Sequence, residues 1–158
     1  MATGTIEFQK MGEDDFSLYR GSSLEDYAKD IARAFHRPVH EVRIEAMKQV
    51  KQLLKDGMAT RRHHFLNVID KKSGVTIGHV WFYVDKHKKR AFLYDILINA
   101  AYRGKGYGRE TMQLLECKLK SVGISHLGLH VFAHNQVAIN LYKNQGYYMA
   151  SYNMQKDL

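Results

Sequence analysis

The sequence predicts a single domain of the mixed α/β (α+β) class, in which helices pack against one β-sheet. Three observations predict this class: a length of 158 residues, a globular composition, and strand-like segments that alternate with helix-like ones. Hydrophobic residues make up 45% of the chain and charged residues 25%, and proline occurs once, which excludes a disordered or collagen-like chain. One domain over residues 1–158 is therefore expected.

The first half of the chain is predicted to hold a short strand followed by two helices. Thr5 to Lys10 is strand-like. Asp14 or Asp15 then fits the N-cap of a helix that runs to about Phe35, with an interruption expected at Gly21-Ser22-Ser23. Pro38 fits the first turn of a second helix, whose apolar residues recur at helical spacing up to Gly57.

Three strand-like segments follow, rich in β-branched and aromatic residues: His64 to Asp70, Thr76 to Asp85, and Arg90 to Ile98. The last two are predicted to form a hairpin. The basic run from Lys86 to Arg90 joins them and is interpreted as a solvated loop. A nucleic-acid patch would need interleaved aromatic residues and a second basic cluster, which the sequence does not show.

The last third returns to alternating elements. A helix is predicted from Gly106 or Gly108 to Gly123, a strand from His126 to Val131, a helix from Asn135 to about Gln145, and a strand from Tyr147 to Met154. Numbered in chain order, the predicted elements are β1-α1-α2-β2-β3-β4-α3-β5-α4-β6.

Charge and cysteine content restrict the classes of partner and location. The net charge is +8, which favours an anionic partner such as nucleic acid, anionic lipid or a phosphorylated small molecule. Cys117 is the single cysteine, so an internal disulfide and a four-thiolate zinc site are excluded. The chain shows no membrane span and no signal peptide, and a cytoplasmic location is expected. No metal is expected, because His126 and His130 lie about 13 Å apart on a strand.

The segment between the predicted β4 and α3 carries the clearest chemical signal. It reads Arg103-Gly104-Lys105-Gly106-Tyr107-Gly108 and opens an amphipathic helix. Unpaired amides and the dipole at a helix N-terminus attract anions, glycines permit close approach, and the two basic side chains add charge. A phosphate or pyrophosphate is the expected ligand. The spacing G-x-G-x-G matches neither a Walker loop nor a dinucleotide fingerprint.

The same segment resembles the GNAT superfamily of acetyl-CoA-dependent N-acetyltransferases. Its signature [Q/R]-x-x-G-x-[G/A] is matched by Arg103, Gly106 and Gly108. A second signature, N-x-x-A-x-x-L-Y-x-x-x-G-[F/Y], is matched by Asn135, Ala138, Leu141, Tyr142, Gly146 and Tyr147. The resemblance covers about residues 75 to 150, and is nearest to small bacterial members. It implies a GNAT-like fold with a coenzyme A cleft where β4 and β5 splay apart.

The resemblance also implies a set of residues for coenzyme A. Backbone amides in the loop would hold the pyrophosphate: those of Gly104, Lys105, Gly106, Tyr107, Gly108 and Arg109, with help from the Arg103 side chain. The fourth strand, bulged in the family, would pair with the pantetheine arm through Ile96, Leu97 and Ile98. A backbone N–H near Leu97 would polarise the thioester carbonyl. Asn135 would contact the pantetheine arm or a nearby water.

For catalysis, the resemblance makes Tyr142 the candidate acid that protonates the departing thiolate. The base is less defined, because Phe92 and Tyr94 occupy positions where some members carry it. Asp95 is the only carboxylate on the strand. It is the candidate base, an anchor for the acceptor amine, or an ordinary strand residue. Weaker candidates for the base are His63, His64 and Glu7.

Three functions are compatible with these observations. The first is acetyl transfer from acetyl-CoA to a primary amine, in a small molecule or a protein, by direct attack in a ternary complex. The second is a non-catalytic acyl-CoA-binding module, and the third is a basic nucleic-acid-binding domain. A membrane partner is not expected, nucleic acid is disfavoured, and homodimers are common in the family.

Two features bear on the unknown acceptor. The Glu13–Asp15 cluster is either a helix cap or part of an acidic pocket. The Trp81–Tyr83 segment packs the hairpin or lines the acceptor pocket.

Overall fold

The computed structural model describes residues 4–158, and within them the chain forms five β-strands and four α-helices. The strands are β1 (Ile6–Lys10), β2 (His63–Asp70), β3 (Thr76–Asp85), β4 (Arg90–Ile98) and β5 (His126–Leu129). The helices are α1 (Glu13–Phe35), α2 (Val39–Leu53), α3 (Tyr107–Ser121) and α4 (Gln136–Asn144). Short 3-10 turns lie at Gly57–Ala59 and Ala100–Tyr102. The predicted mixed α/β class is confirmed.

The strands form one sheet in the order β1-β2-β3-β4-β5. The pairs β1–β2, β2–β3 and β3–β4 are antiparallel, and the pair β4–β5 is parallel. Directly paired residues share a face of the sheet. One face therefore carries Phe65 opposite Trp81, and we call it the Trp81 face. Phe16, in the first turn of α1, packs edge-on against Phe65 with ring centroids 4.8 Å apart.

The chain divides into two compact units. The first contains the chain up to Ser17 together with Leu54–His130, and so holds the whole sheet and α3. The second contains Leu18–Leu53 together with Val131–Leu158, and so holds most of α1, with α2 and α4. Inside the second unit, the Arg43 guanidinium donates two hydrogen bonds of 2.7 Å to Glu25 and links α2 to α1.

The predicted break in α1 is wrong, because the helix is continuous through Gly21. A glycine inside a helix costs only about 1 kcal/mol relative to alanine. The Ser22 hydroxyl donates to the Tyr19 carbonyl at 3.1 Å, so it is satisfied without leaving the helix. The helix begins at Glu13, so Asp14 and Asp15 lie inside it and neither is the N-cap that the sequence predicted. The Glu13–Asp15 cluster is its first turn, where negative charge stabilises the helix dipole.

The predicted β6 is also wrong. Within the described chain no strand follows α4, and residues 147–158 form neither a helix nor a strand. Tyr148, Tyr152 and Met154 are 85%, 79% and 89% exposed. The alternating apolar residues of this segment favour a strand, but a strand forms only where a neighbouring strand pairs with it. The end of this segment contacts the end of α1 instead, through His36 Nδ1 and Asp157 Oδ2 at 2.6 Å.

The hairpin prediction is confirmed, since β3 and β4 have the predicted bounds and pair directly. The basic run between them forms a tight, exposed turn. Asp85 caps this turn by accepting hydrogen bonds from the amides of His87 at 3.0 Å and Lys88 at 3.1 Å. The hydrogen bond from the Lys88 amide, with smaller contributions that include Arg62, lowers the pKa of Asp85. Separately, no helix in the described part of the chain is long and apolar enough to cross a membrane.

Candidate acetyl-transfer site

The strand β4 has a neighbour on both sides for only part of its length. It pairs with β3 from Arg90 to Ile98, but its pairing with β5 ends at Leu93, opposite Leu129. Five residues, Tyr94–Ile98, extend past the end of that pairing, and we call them the open stretch of β4. Peptide groups along such an edge can bind an extended ligand as an added strand would. This divergence of β4 from β5 is the splay that the resemblance predicts.

The glycine loop follows directly after this open stretch. Gly104 has φ of 75° and Gly106 has φ of 85°, both in the left-handed region that residues with a Cβ avoid. Gly106 is the N-cap of α3 and has no side chain to cap the helix. The amides of the first turn of α3 have no acceptor inside the helix, so a ligand's oxygens can accept from them.

Two basic residues in the loop have different contacts. The Arg103 Nε donates to the carbonyl of Ile98 at 2.7 Å and ties the loop to the end of β4. The Lys105 ammonium lies 6.0 Å from the centre of the Tyr102 ring. Lys105 and its two neighbouring glycines are exposed, which leaves the lysine charge at the N-terminal end of α3.

The position of α3 is fixed from two sides. Its Glu110 carboxylate accepts hydrogen bonds from the Thr5 amide, the Thr5 hydroxyl at 2.6 Å and the Ile6 amide at 3.1 Å. Its buried side is apolar and includes Met112 and Leu115, both fully buried. The N-terminus of the helix is therefore held rigidly relative to the sheet, which a site that binds phosphates through backbone amides requires.

A β-bulge lies at the start of the open stretch. Trp81 pairs with Asp95 and the next residue of β3, Phe82, pairs with Leu93, so Tyr94 is the extra residue on β4. Asp95 lies on the Trp81 face by its pairing, and the Tyr94 ring stacks on Trp81 with centroids 4.5 Å apart. The bulge thus brings two consecutive residues to one face, where a regular strand would place only one.

Around Tyr94 the side chains of three strands form a continuous group of rings. Tyr94 packs on His63 at 5.5 Å and on Phe92 at 4.9 Å, and His63 packs on Tyr83 at 5.2 Å. We call this group the aromatic face; its members are His63, Trp81, Tyr83, Phe92 and Tyr94. Sequence reasoning missed it as a unit. The signal was present, because each of these strands places aromatic rings two residues apart, a spacing that puts them on one face.

The contacts of His63 remove it from the candidates for the base. The Trp81 indole N–H, which can only donate, donates to His63 Nδ1 at 3.0 Å. The neutral ring therefore carries its proton on Nε2 and has no lone pair left to accept another. Burial lowers the pKa of His63, which favours this neutral form. His64 lies on the opposite face, stacked on Phe82 at 5.0 Å.

The second unit contains the other two predicted site residues. Asn135 is the N-cap of α4, and its side-chain oxygen accepts from the Ala138 amide at 3.2 Å. Tyr142 lies on the buried side of α4, where it is 8% exposed. Its ring meets that of Tyr147 edge-on at 5.7 Å. The helix ends before Gly146, whose φ of 91° stops it.

The structure groups the predicted residues as follows. Asp95, Ile96–Ile98 and the loop from Arg103 to Arg109 form a continuous part of the first unit. A cavity of about 350 Å³ in the second unit contains none of the predicted residues; it lies between α1 and α2 beside the Arg37–Glu45 ion pair. In residues 4–158 no three His, Cys, Asp or Glu side chains are grouped to hold a metal ion.

Comparison with known proteins places these features in a family. The model of the Acetyltransferase (GNAT) family matches residues 23–147. The uncharacterized N-acetyltransferase YdgE of Bacillus subtilis (strain 168) is 31% identical over 152 residues, covering 95% of this chain and 96% of that protein. The uncharacterized N-acetyltransferase YycN of the same organism is 30% identical over 156 residues, covering 98% and 99%. Its crystal structure matches this fold with a TM-score of 0.91 over the same shares of the two chains.

A more distant structure shares the fold. The spermidine N-acetyltransferase of Vibrio cholerae, solved in complex with CoA and spermine, is 17% identical to this chain. The match covers 90% of this chain and 80% of that one, with a TM-score of 0.62.

Proposed function

The chain belongs to the acetyltransferase (GNAT) family, and from this premise we propose that it moves the acetyl group of acetyl-CoA to a primary amine. Both substrates bind together and the amine attacks the thioester directly. The observation that carries this proposal is the open stretch of β4, followed at once by a glycine loop at the N-terminus of α3. An extended thiol arm and a pyrophosphate fit these two adjacent features.

The proposed coenzyme contacts are mainly to the backbone. The amides of residues 104–109 bind the pyrophosphate, and Arg103 and Lys105 add positive charge. The peptide groups of Ile96–Ile98 pair with the pantetheine arm, and an N–H near Leu97 donates to the thioester oxygen as charge develops on it. Asn135 already uses its oxygen as a helix cap, so its amide N–H group is the part that donates to the arm or to a water.

The proposed transfer needs one base and one acid. Asp95 takes a proton from the ammonium of the acceptor and anchors it, since the amine nitrogen needs a free electron pair to attack. The new N–C bond forms as the C–S bond breaks, the nitrogen then loses its second proton to solvent, and Asp95 releases to solvent the proton that it took. The Tyr142 hydroxyl gives its proton to the departing thiolate and recovers one from solvent. A phenol with a pKa of about 10 can supply that proton to a thiolate as charge accumulates on sulfur.

Two measurements on the whole protein test this function. Isothermal titration calorimetry with acetyl-CoA tests the coenzyme site, and release of free CoA thiol across a panel of primary amines tests transfer. Binding together with amine-dependent thiol release is the expected result. Tight binding without release for any amine would overturn the enzymatic proposal in favour of an acyl-CoA-binding module. The aromatic residues at positions 92 and 94, where some relatives carry the base, are the feature that favours that alternative.

Three further properties are proposed with this function. Residues 1–158 act as one N-acetyltransferase domain, since the family match extends across both units. The location is cytoplasmic, which the exposed free thiol of Cys117 supports because such thiols persist in reducing compartments. The protein forms a homodimer, for which exposed apolar side chains of residues 147–158 offer a surface. Light scattering on the purified protein measures the last property directly.

A further inference from the structure

The aromatic face begins where the open stretch of β4 begins. Tyr94 is the first residue of β4 beyond its pairing with β5, and its side chain is 39% exposed. Trp81 lies beneath it, 9% exposed and nearly parallel to it, at 15° between the ring planes. A ring stacked on a buried ring gives a flat, rigid surface with little side-chain entropy to lose on binding.

This surface carries no full charge of its own. The neighbours of the Tyr94 ring are Trp81, His63 and Phe92. The His63 ring is neutral, because its Nδ1 accepts from Trp81 and burial disfavours the charged form. A partly exposed, uncharged group of rings is a surface on which a planar apolar ligand gains most.

The acidic residues of the two strands that carry Trp81 and Tyr94 differ in their position relative to the Tyr94 ring. The strands β3 and β4 contain two, Asp85 and Asp95. Asp85 is committed to the hairpin turn through one oxygen and to Arg62 at 3.3 Å through the other. Asp95, directly opposite Trp81, is the one whose strand position adjoins Tyr94. A carboxylate at this position can pair with the ammonium group of an amine whose ring lies on Tyr94.

Resting on the proposed function, we propose that the acceptor is an arylalkylamine: one primary amine joined by a short alkyl chain to a planar aromatic ring. The ring stacks on Tyr94 and the amine lies at Asp95, beside the open stretch of β4. The net charge of +8 disfavours binding of a polycation such as spermine, because like charges repel. This acceptor class differs from that of the Vibrio cholerae structure.

Steady-state kinetics with three amines test the substrate class. We expect kcat/KM for 2-phenylethylamine to exceed that for n-butylamine and for spermine by about tenfold or more, as expected for one well-packed ring contact. Butylamine keeps the amine and removes the ring, and spermine adds charge without a ring. Equal values for all three, or a preference for spermine, would overturn the proposal while leaving acetyl transfer itself established.

Variants of Tyr94 locate the selectivity on the aromatic face. Tyr94→Phe keeps the ring and is expected to keep the preference for 2-phenylethylamine. Tyr94→Ala removes it and is expected to reduce the preference about fivefold, mainly through KM for the aryl substrate, with acetyl-CoA affinity unchanged. Tyr148→Ala, a change at an exposed tyrosine outside the aromatic face, is the matched control. Equal preference in Tyr94→Ala and wild type would contradict the assignment.

The single tryptophan of the chain gives a readout that does not depend on transfer. Trp81 is stacked on Tyr94, so a ring bound there should change its fluorescence when excited at about 295 nm, where 2-phenylethylamine does not absorb. We expect saturable quenching by 2-phenylethylamine in the presence of CoA, and none by butylamine. If no amine is acetylated but this saturation is seen, the binding surface stands and the enzymatic proposal fails. If transfer occurs without any change at Trp81, the acceptor lies elsewhere.

Discussion

The two halves of the candidate site in the first unit are built in different ways. The proposed coenzyme half is the loop from Arg103 to Arg109, which is consecutive in sequence and presents backbone amides and two left-handed glycines. The acceptor half is the aromatic face, whose rings come from three strands and span His63 to Tyr94. It consists of side chains, and the bulge at Tyr94 brings Asp95 to the same face.

The difference explains why one half has a recognisable sequence and the other does not. A phosphate cradle needs glycine at fixed places, because residues with a Cβ avoid positive φ, so its sequence is constrained and local. An aromatic surface needs only rings on one face of a sheet, and any of several strand positions can supply them. The proposed coenzyme half is therefore recognisable in the sequence, while the proposed acceptor half has no comparable sequence signature.

The largest expected effect comes from putting a side chain into the coenzyme half. Gly106→Glu places a Cβ at a φ of 85° and a negative charge at the proposed pyrophosphate site. We expect acetyl-CoA affinity to fall about 100-fold, equivalent to about 2.8 kcal/mol, as measured by calorimetry.

The matched control for this variant is Gly123→Glu. Gly123 has a φ of 84° and open space around its Cα, so the backbone strain and the added charge are the same. It lies just past the other end of α3, about 25 Å from Gly106 at 1.5 Å per residue. Acetyl-CoA affinity should be unchanged in this variant. Equal losses in both variants would show that the fold was damaged and that the loop itself was not probed.

The next largest effect concerns the proposed acid. Tyr142→Phe keeps the buried ring and removes the hydroxyl, so we expect turnover to fall at least about tenfold with acetyl-CoA affinity unchanged. Tyr147→Phe removes a hydroxyl from the ring that contacts it and should turn over like wild type. Unchanged turnover in Tyr142→Phe would remove this residue from the proposed mechanism.

The smallest effect is on stability and concerns the acceptor half. Burial lowers the pKa of His63, and also those of His64 and His79. These histidines therefore bind protons more readily in the unfolded chain than in the folded protein. The free energy of unfolding is then highest above a pH of about 6.5, where the rings are neutral in both states, and it falls as the pH drops below that value. Urea unfolding at pH 7.5 and 5.5 should show this loss in wild type.

Two variants of His63 separate its titration from its hydrogen bond. His63→Asn cannot titrate but keeps an oxygen where Nδ1 accepts from Trp81, so the loss of stability between the two pH values should be smaller. His63→Ala leaves the indole N–H without its acceptor and should be less stable than His63→Asn at both, by about 1–3 kcal/mol. A wild-type pH dependence in His63→Asn would assign the effect to other groups.

Local patterns in the sequence predicted the fold well where neighbours in the chain determine the structure. The turn after Asp85 and the glycines around α3 act within a few residues, so the hairpin and the helix were predicted with small errors in bounds. Two predictions failed, one because a single local signal was too weak and the other because a distant contact decides. Gly21 does not break α1 because a helix tolerates one glycine. The segment after Tyr147 does not become a strand because a strand needs a partner, which no residue within the segment reveals.

The site shows the same division. Positive φ at Gly104 and Gly106 was foreseeable from the motif, while the grouping of Tyr94 with His63 depends on the register of three strands and on one bulge. The exclusion of His63 as a base follows from a single hydrogen bond across two strands. Contacts of this kind depend on the register of the strands, and the register is determined by the packing of the whole core.

The bulge at Tyr94 also bears on how such a protein can diverge. Gain or loss of one residue inside a strand ordinarily turns every later side chain to the opposite face. Here Arg90 to Leu93 and Asp95 to Ile98 each keep regular pairing with β3 on either side of the extra residue. Loss of Tyr94 alone would leave both halves in register, as would its replacement. At this position of β4, one residue can therefore be gained or lost in evolution without a change in the register of the strand or in the glycine loop that follows it.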